Sequence, residues 1–564
     1  MCGEGEKDPM DVSEAIRLIE NDPELDVRGT VRCLPVGTLP PGDRHRLMEA
    51  LVSKGWAKEA VHLVRNPDQV KDAVDDWLTF ATILEKAGFS TAAERALHHA
   101  VALQPDIPNA YFRMGALWFQ RMSQFAFREA LTPLRYARAI SPAAEVEWLL
   151  AYILFLTGQS DEAFQRIRAL LSQRPQDANA LSVYAVLLYE KGLDQEALHV
   201  LQRLFNGRGG IYAEEAGAIL TRLLLAHGLA SQGITYIRNR LSQPGGSFAL
   251  WESLAELEIA AGQRKVGVEL CRRILAENPA RSRTYSTLCM MRLREEGGED
   301  IGSARQPHAP LERSIALSSI GHFGRFAHQV NEYILTWVYA QEAGLSLETP
   351  NWIGHLIFEL DDPLARRMPI IRDGNKQMND FLFGRSQVVQ TGVDFFSPDP
   401  LECFDKRFRA TVQERLRFRP VWRKRLAPLM NKLRENGRTV IALHLRRGDM
   451  TALRKPPPME WYVSWIRELW HGLERPVLYL CSDELEKVRP LFLEFKPICL
   501  SDIAQPWKDI AFMQDFYILA NADVVGVSDG NFARLAALLN TRAVLFARAD
   551  SVAQGIISYE PWRE

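Results

Sequence analysis

Cysteine is sparse in this chain. Cys2, Cys33, Cys271, Cys289, Cys403, Cys481 and Cys499 are scattered over 564 residues, and none forms a CxxC pair. An odd, dispersed set excludes a disulfide framework and a zinc-ribbon pattern, and it fits a reducing compartment. No apolar run reaches the roughly 18 residues that a membrane-spanning helix needs. The opening MCGEGEKDPMDVSEA is acidic and polar rather than basic then apolar, so it does not read as a signal peptide. Neither charge is in surplus, since 68 basic and 70 acidic residues leave a formal net charge of −2. That balance excludes a broad electrostatic footprint for nucleic acid or anionic lipid, so any anion site must be a local cluster. No Asp-x-Asp pair stands in a strand-end loop, and Asp75-Asp76 and Asp361-Asp362 read as helix starts, so no metal site is expected. The expectation is a cytoplasmic protein with no nucleic-acid partner and no membrane span.

At this length one core does not suffice, and two to four domains are expected. The first half has a period. Gly88, Gly158, Gly192, Gly228 and Gly262 stand in polar turns, and the last four are spaced by 34, 36 and 34 residues. Seventeen residues after Gly88, Gly158 and Gly262 come Pro105, Pro175 and Pro279; five after Gly88, Gly158 and Gly192 come Ala93, Ala163 and Ala197. A glycine opening a turn, a small residue at a close helix crossing and a proline ending a helix resemble the tetratricopeptide repeat (TPR). The resemblance implies about six helix pairs over 76–290, with an irregular unit over 105–142 turning near Met122, and a divergent pair at 43–73. Stacked pairs of this kind make a concave face, which could dock a protein partner or an acceptor, or serve as a scaffold.

Gly297-Gly298 and Ser303–Pro310 break the helical pattern and read as a linker. Beyond 439, strand candidates at 439–445, 476–481, 497–500, 523–527 and 543–547 alternate with amphipathic segments at 459–472, 484–495, 508–521 and 531–540. That order predicts a parallel, doubly wound sheet. Before it, Leu311–Ile320 reads as a strand, Gly321–Gln329 as a glycine-containing loop, and the following segment as a long helix with Phe326, Val330, Ile334 and Val338 on its apolar face. The stretch 401–436 reads as a charged helix pair.

The densest chemistry is His444-Leu445-Arg446-Arg447-Gly448-Asp449, directly after the apolar run Thr439–Leu443. In an open α/β sheet, ligands bind at the carboxyl ends of the strands. Strand alternation puts His444 and Arg446 on one face, with Leu443, Leu445 and Arg447 on the other. A planar guanidinium there suits a phosphate, to which it donates two parallel hydrogen bonds. The alternative is a surface pair between Arg447 and Asp449. Ser482-Asp483 and Ser528-Asp529-Gly530-Asn531 fall at strand ends on the same edge. The second of these opens a helix, so it can present backbone N–H groups to an anion or act as an ordinary N-cap.

Four motifs in this order resemble the fucosyltransferases of the GT-B type: Gly324-Arg325-Phe326-Ala327-His328-Gln329, His444–Asp449, Tyr479–Asp483 and Ser528–Ala533. Ala327 and His328 stand where the family has Gly and Asn, and Asp529, Gly530 and Asn531 replace the Asn and hydroxyl residues of the last motif. The resemblance implies an α plus α/β chain: an N-terminal segment 1–42, a TPR solenoid over 43–295, and a GT-B-like pair of Rossmann-like units at 311–436 and 437–564. It implies an inverting, metal-independent transferase that takes its sugar from a GDP-sugar donor, with GDP-fucose the leading choice, to a glycan or protein acceptor. By the same resemblance, Gly324, Arg325, His444, Arg446, Arg447, Asp449, Ser482, Asp483, Ser528, Asn531 and Phe532 would bind the donor. Arg446 would stabilise the leaving phosphate. No base is marked by a motif; His328, with His322 beside it in the loop, has a pKa suited to that role and is the candidate, and the alternative for each is a structural histidine. The competing reading is a TPR interaction protein whose second half binds a nucleotide or glycan without turnover.

Overall fold

The computed structural model describes residues 11–22, 26–32, 34, 39–54, 56, 59–60, 74–86, 90–120, 124–206, 214–242, 248–298, 313–322, 324–371, 374–395, 405–447, 457–528 and 530–562. The chain forms two compact units, residues 1–187 and 188–564.

The first unit is helical, from Val12–Asn21 through Ser160–Gln173 and into Ala178–Glu190. Within a hairpin the two helices differ in character. Ala144–Leu156 is apolar almost all round and buries ten of its side chains besides Ala144, because neighbours cover both its faces. Ser160–Gln173 buries only the stripe Ala163, Ile167 and Leu170 and leaves the rest to solvent. Between them Gly158 has φ +84°, and its N–H donates to Phe155 O at 3.0 Å. A residue with a Cβ is strained in that left-handed region, which is why the turn keeps glycine. Ala93, Ala163 and Ala197 are fully buried, as the close helix crossing requires. Gly88, the turn at Met122 and residues 61–73 lie outside the described residues.

The second unit begins with helical hairpins of the same kind and closes them with Ser282–Gly297. Gly192, Gly228 and Gly262 repeat the left-handed turn at φ +79°, +67° and +86°. Two sheets follow. The first holds β1 (Ser314–Ala316), β2 (Ser346–Glu348), β3 (Ile370–Ile371) and β4 (Val393–Phe395) in the order β2-β1-β4-β3. The second holds β5 (Thr439–Leu445), β6 (Pro476–Ser482), β7 (Val524–Val527), β8 (Leu545–Asp550) and β9 (Gly555–Ser558) in the order β6-β5-β7-β8-β9. Val440 and Ala442 face a core that also takes in Ile315, Phe326 and Phe395, while Ile441, Leu443 and Leu445 face a second core under Met459–Trp470. The second sheet is therefore doubly wound, as its uninterrupted apolar strands require.

Four sequence expectations need correction. Residues 497–500 form a single bridge, Tyr479 to Ile498, and then the short helix Leu500–Ile503. The sheet is not wholly parallel, because β9 pairs antiparallel with β8. The strand expected over 311–320 is only three residues long. Asp361-Asp362 is not a helix start: Asp362 is buried and bound by Arg415 Nη2 at 2.6 Å and Tyr333 OH at 3.0 Å. The helical hairpins end at Gly297, yet the cores do not divide there. Cys289 and Leu293 of the last helix belong to the same core as Ile315 and Phe326. No helix among the described residues is long and apolar enough to cross a membrane.

Candidate active site

In the second sheet the chain moves from β5 to β6 on one side and returns to β7 on the other. The carboxyl ends of β5 and β7 thus flank the crevice where strand order reverses, the place where open α/β sheets bind ligands. Arg446 leaves β5 there and Ser528 leaves β7. Ser528, almost fully buried, accepts the backbone N–H of Arg446 at 3.0 Å, and its own N–H donates to His444 O at 3.1 Å. Its hydroxyl lies 3.4 Å from His444 Nδ1. Burial pushes His444 down to about 4, opposed by Asp483 and assisted by Arg446, so the imidazole is neutral at ordinary pH. Its ring packs against Phe532 with centroids 5.2 Å apart.

The Arg446 side chain lies beside Gly530. A Cβ on Gly530 would sit 3.1 Å from Arg446 Nη1 and 3.5 Å from its Cδ, and Gly530 has φ +138°. Gly530 is the N-cap of Asn531–Leu539, and among the described residues no side chain caps that helix. The N-cap thus falls within Ser528–Asn531, at Gly530, while the Ser528 hydroxyl serves the end of β5. A helix start with a glycine N-cap and an arginine beside it concentrates donors and positive potential at one point.

On the other side of β5, Arg447 N–H donates to Asp483 Oδ1 at 2.7 Å, and Arg447 Nη1 donates to Pro457 O at 2.9 Å. Ser482 Oγ donates to Leu445 O at 2.6 Å and accepts from Glu484 N at 3.1 Å. Ser482, Asp483 and Arg447 therefore tie the ends of β5 and β6 to the chain around Pro457. Gly448, Asp449 and Asp529 lie outside the described residues. Phe532 is a packing residue: besides His444 it meets Phe516, which meets Phe326, with centroids 5.5 and 5.0 Å apart. Asn531 stands at the first helical position, half-buried.

The glycine-containing loop follows β1, where the order of the first sheet reverses between β1 and β4. Gly324 has φ +59°, and a Cβ there would lie 2.4 Å from Cβ and Cγ of His328. His328 thus covers Gly324. The loop leans on the helical hairpins. Arg325 Nη2 donates to Pro279 O at 2.9 Å, Ser286 Oγ to Gly321 O at 3.1 Å, and Gln329 Nε2 to Ser286 Oγ at 2.9 Å. His322 Nε2 meets Arg222 Nη2 at 2.9 Å; burial, then Arg222 and Arg283, push His322 down to about 3. Behind the loop, Ser319 Oγ donates to Glu332 Oε1 at 2.5 Å, and Ser318 N–H to Asp394 Oδ1 at 2.9 Å. Burial lifts Glu332 to about 8, with Ser319 opposing and Asp394 adding. Sequence reasoning missed Glu332, Asp394, Pro457 and Phe516, which carry no local motif. It also missed the role of the hairpins as a wall of this loop.

No protein-family profile and no curated protein matches the chain. Among solved structures it is similar to a NodZ alpha-1,6-fucosyltransferase soaked with GDP-fucose, at 16% identity and a TM-score of 0.34, covering 44% of this chain and 99% of that one. It is similar to the fucosyltransferase NodZ from Bradyrhizobium at 14% identity and a TM-score of 0.34, over 44% of this chain and 99% of that one. It is also similar to a thermophilic TPR protein of Thermus thermophilus, at 16% identity and a TM-score of 0.28, over 33% of this chain and all of that one.

Proposed function

We propose that the second unit is an inverting, metal-independent glycosyltransferase that uses a GDP-sugar, with GDP-fucose the leading donor. The observation that carries this reading is Arg446 beside Gly530, the glycine N-cap of Asn531–Leu539, at the point where the strand order of the second sheet reverses. A nucleoside diphosphate leaving group needs charge stabilisation at its phosphates. The guanidinium and the helix N–H groups supply it without a divalent ion. The acceptor oxygen forms a bond to the sugar anomeric carbon as the carbon–oxygen bond to the diphosphate breaks. The electron pair leaves with GDP, and the acceptor proton passes to a base. The two histidines of the glycine-containing loop are unequal for that task. His322, held near 3, is too weak a base at neutral pH, which leaves His328 as the imidazole to test. In this reading Ser482, Asp483, Ser528 and His444 hold the arginines in place, and the helical hairpins dock the acceptor or a partner protein.

One observation favours the second reading, a TPR protein that binds nucleotide or glycan without turnover. The loop imidazole nearest the repeats is neutralised and engaged by Arg222. Calorimetry of GDP with the full chain, in magnesium and in EDTA, together with GDP-fucose turnover, separates the two. Binding and turnover in both buffers support the transferase. Binding without turnover supports the second reading, and no GDP binding overturns the transferase and leaves of the second reading only its glycan-binding form.

A further inference from the structure

The edge of the first sheet that would carry an acceptor is walled by helical repeats. Its strand order reverses between β1 and β4, and the loop at that point, residues 317–325, is hydrogen-bonded to Arg222, Pro279 and Ser286. The helices Glu214–Ala226 and Ser282–Gly297 therefore complete that edge.

The charge there is uneven. Arg283 is held by Glu256 through Nε at 2.7 Å and Nη2 at 2.6 Å, so its charge is matched. Arg222 is exposed, and among the described residues its hydrogen-bond partner is His322, with no carboxylate within salt-bridge reach. The contact also fixes the imidazole. An arginine can only donate, so His322 Nε2 accepts and the ring proton sits on Nδ1. A neutral acceptor orients the guanidinium but leaves its charge unmatched. Arg222 keeps further N–H donors, in a planar fork that suits a carboxylate or a phosphate.

We infer that Arg222, oriented by His322, forms an anion subsite for the acceptor, so that the preferred acceptor carries a carboxylate or phosphate. This rests on the transferase reading for the word acceptor, and the test keeps the two apart. The full chain, saturated with GDP so that the donor site is filled, is titrated at fixed ionic strength with glucuronate, with glucose 6-phosphate and with neutral glucose. The expected result is saturable binding of at least one charged sugar, weakened about tenfold or more in Arg222→Gln and partly retained in Arg222→Lys. His322→Gln, which keeps an acceptor atom, should bind more tightly than His322→Leu. The two charged sugars tell carboxylate from phosphate. Unchanged melting temperatures and unchanged GDP affinity in the Arg222 variants separate loss of the subsite from loss of fold. Binding of charged sugars that is equal in wild type and Arg222→Gln, or absent from both, overturns the inference. Failure of GDP to bind while charged sugars still depend on Arg222 overturns the donor reading and leaves the anion subsite standing.

Discussion

Ser528 and Arg446 lie 82 residues apart in sequence, yet the hydroxyl of the first accepts the backbone N–H of the second at 3.0 Å. This bond fixes where the end of β5 turns, and so where the Arg446 guanidinium lies. Ser528→Ala removes the acceptor and leaves a part-buried N–H unmet, at a cost of about 1–3 kcal/mol. Denaturant unfolding should register that loss, and GDP affinity should fall although no charge has changed. Wild-type affinity in the alanine variant would show that the strand end holds Arg446 without it.

Arg446→Lys keeps the charge but loses the planar fork. GDP affinity should fall by roughly 1.5–3 kcal/mol, and sugar transfer by on the order of a hundredfold. Calorimetry and turnover, with melting temperature as control, are the measurements. Wild-type values in the lysine variant would make the motif structural and remove the main support for the transferase.

Gly324→Ala meets two penalties. The left-handed backbone costs an L-residue roughly 1–2 kcal/mol, and the new methyl would press on His328, whose Cβ and Cγ stand 2.4 Å away. The double variant Gly324→Ala, His328→Gly, which removes both of those atoms, should recover the steric part and leave the backbone part. A double-mutant cycle on unfolding free energies reads the coupling, and strict additivity would mean that His328 does not cover Gly324.

Glu332 gives a pH dependence with a definite sign. Its folded-state value is raised to about 8 by burial, while an unfolded glutamate titrates near about 4.3. The fold therefore favours the protonated form. That contribution is fully present below the unfolded value and is lost as pH rises through 8. The wild-type melting temperature should fall between pH 5 and about 8.5, and Glu332→Gln should flatten that part of the curve. The groups facing Glu332 are Ser319 and Asp394, so Asp394→Asn in the same background tests whether the carboxyl pair shares the effect. A glutamine variant with the wild-type slope would remove Glu332 as the cause.

A fragment beginning at 311 loses Cys289 and Leu293 from its core. It also loses the two arginines that hold Asp509, with Arg272 Nη2 at 2.7 Å and Arg292 Nε at 3.0 Å. Asp509 has φ +68°, a strained position for a non-glycine residue, so its partners help to maintain it. The fragment 188–564 should melt cooperatively, and 311–564 should be less stable and expose apolar surface to a hydrophobic dye. Equal melting temperatures would place the boundary at the linker after all.

Local signals were legible in the sequence because their causes are local. A glycine at φ +84° with a buried alanine five residues on writes a helix hairpin within one repeat. A β-branched apolar run can be satisfied only as a buried strand, and β5 falls where Thr439–Leu445 indicated. Alternation then set His444 on the face opposite Leu443 and Leu445, which turn to the core under Met459–Trp470. The tertiary structure decided which partner each motif residue takes. Ser528 could have capped its own helix, but β7 lies beside β5 and its hydroxyl meets Arg446 instead. Asp361-Asp362 had the composition of a helix start, yet Arg415, more than fifty residues later, draws Asp362 into the core. The docking of the loop at Gly321–Arg325 on Arg222, Pro279 and Ser286 has no sequence signature, because hydrogen bonds between distant residues depend on the packing that brings them together, not on residue type or spacing.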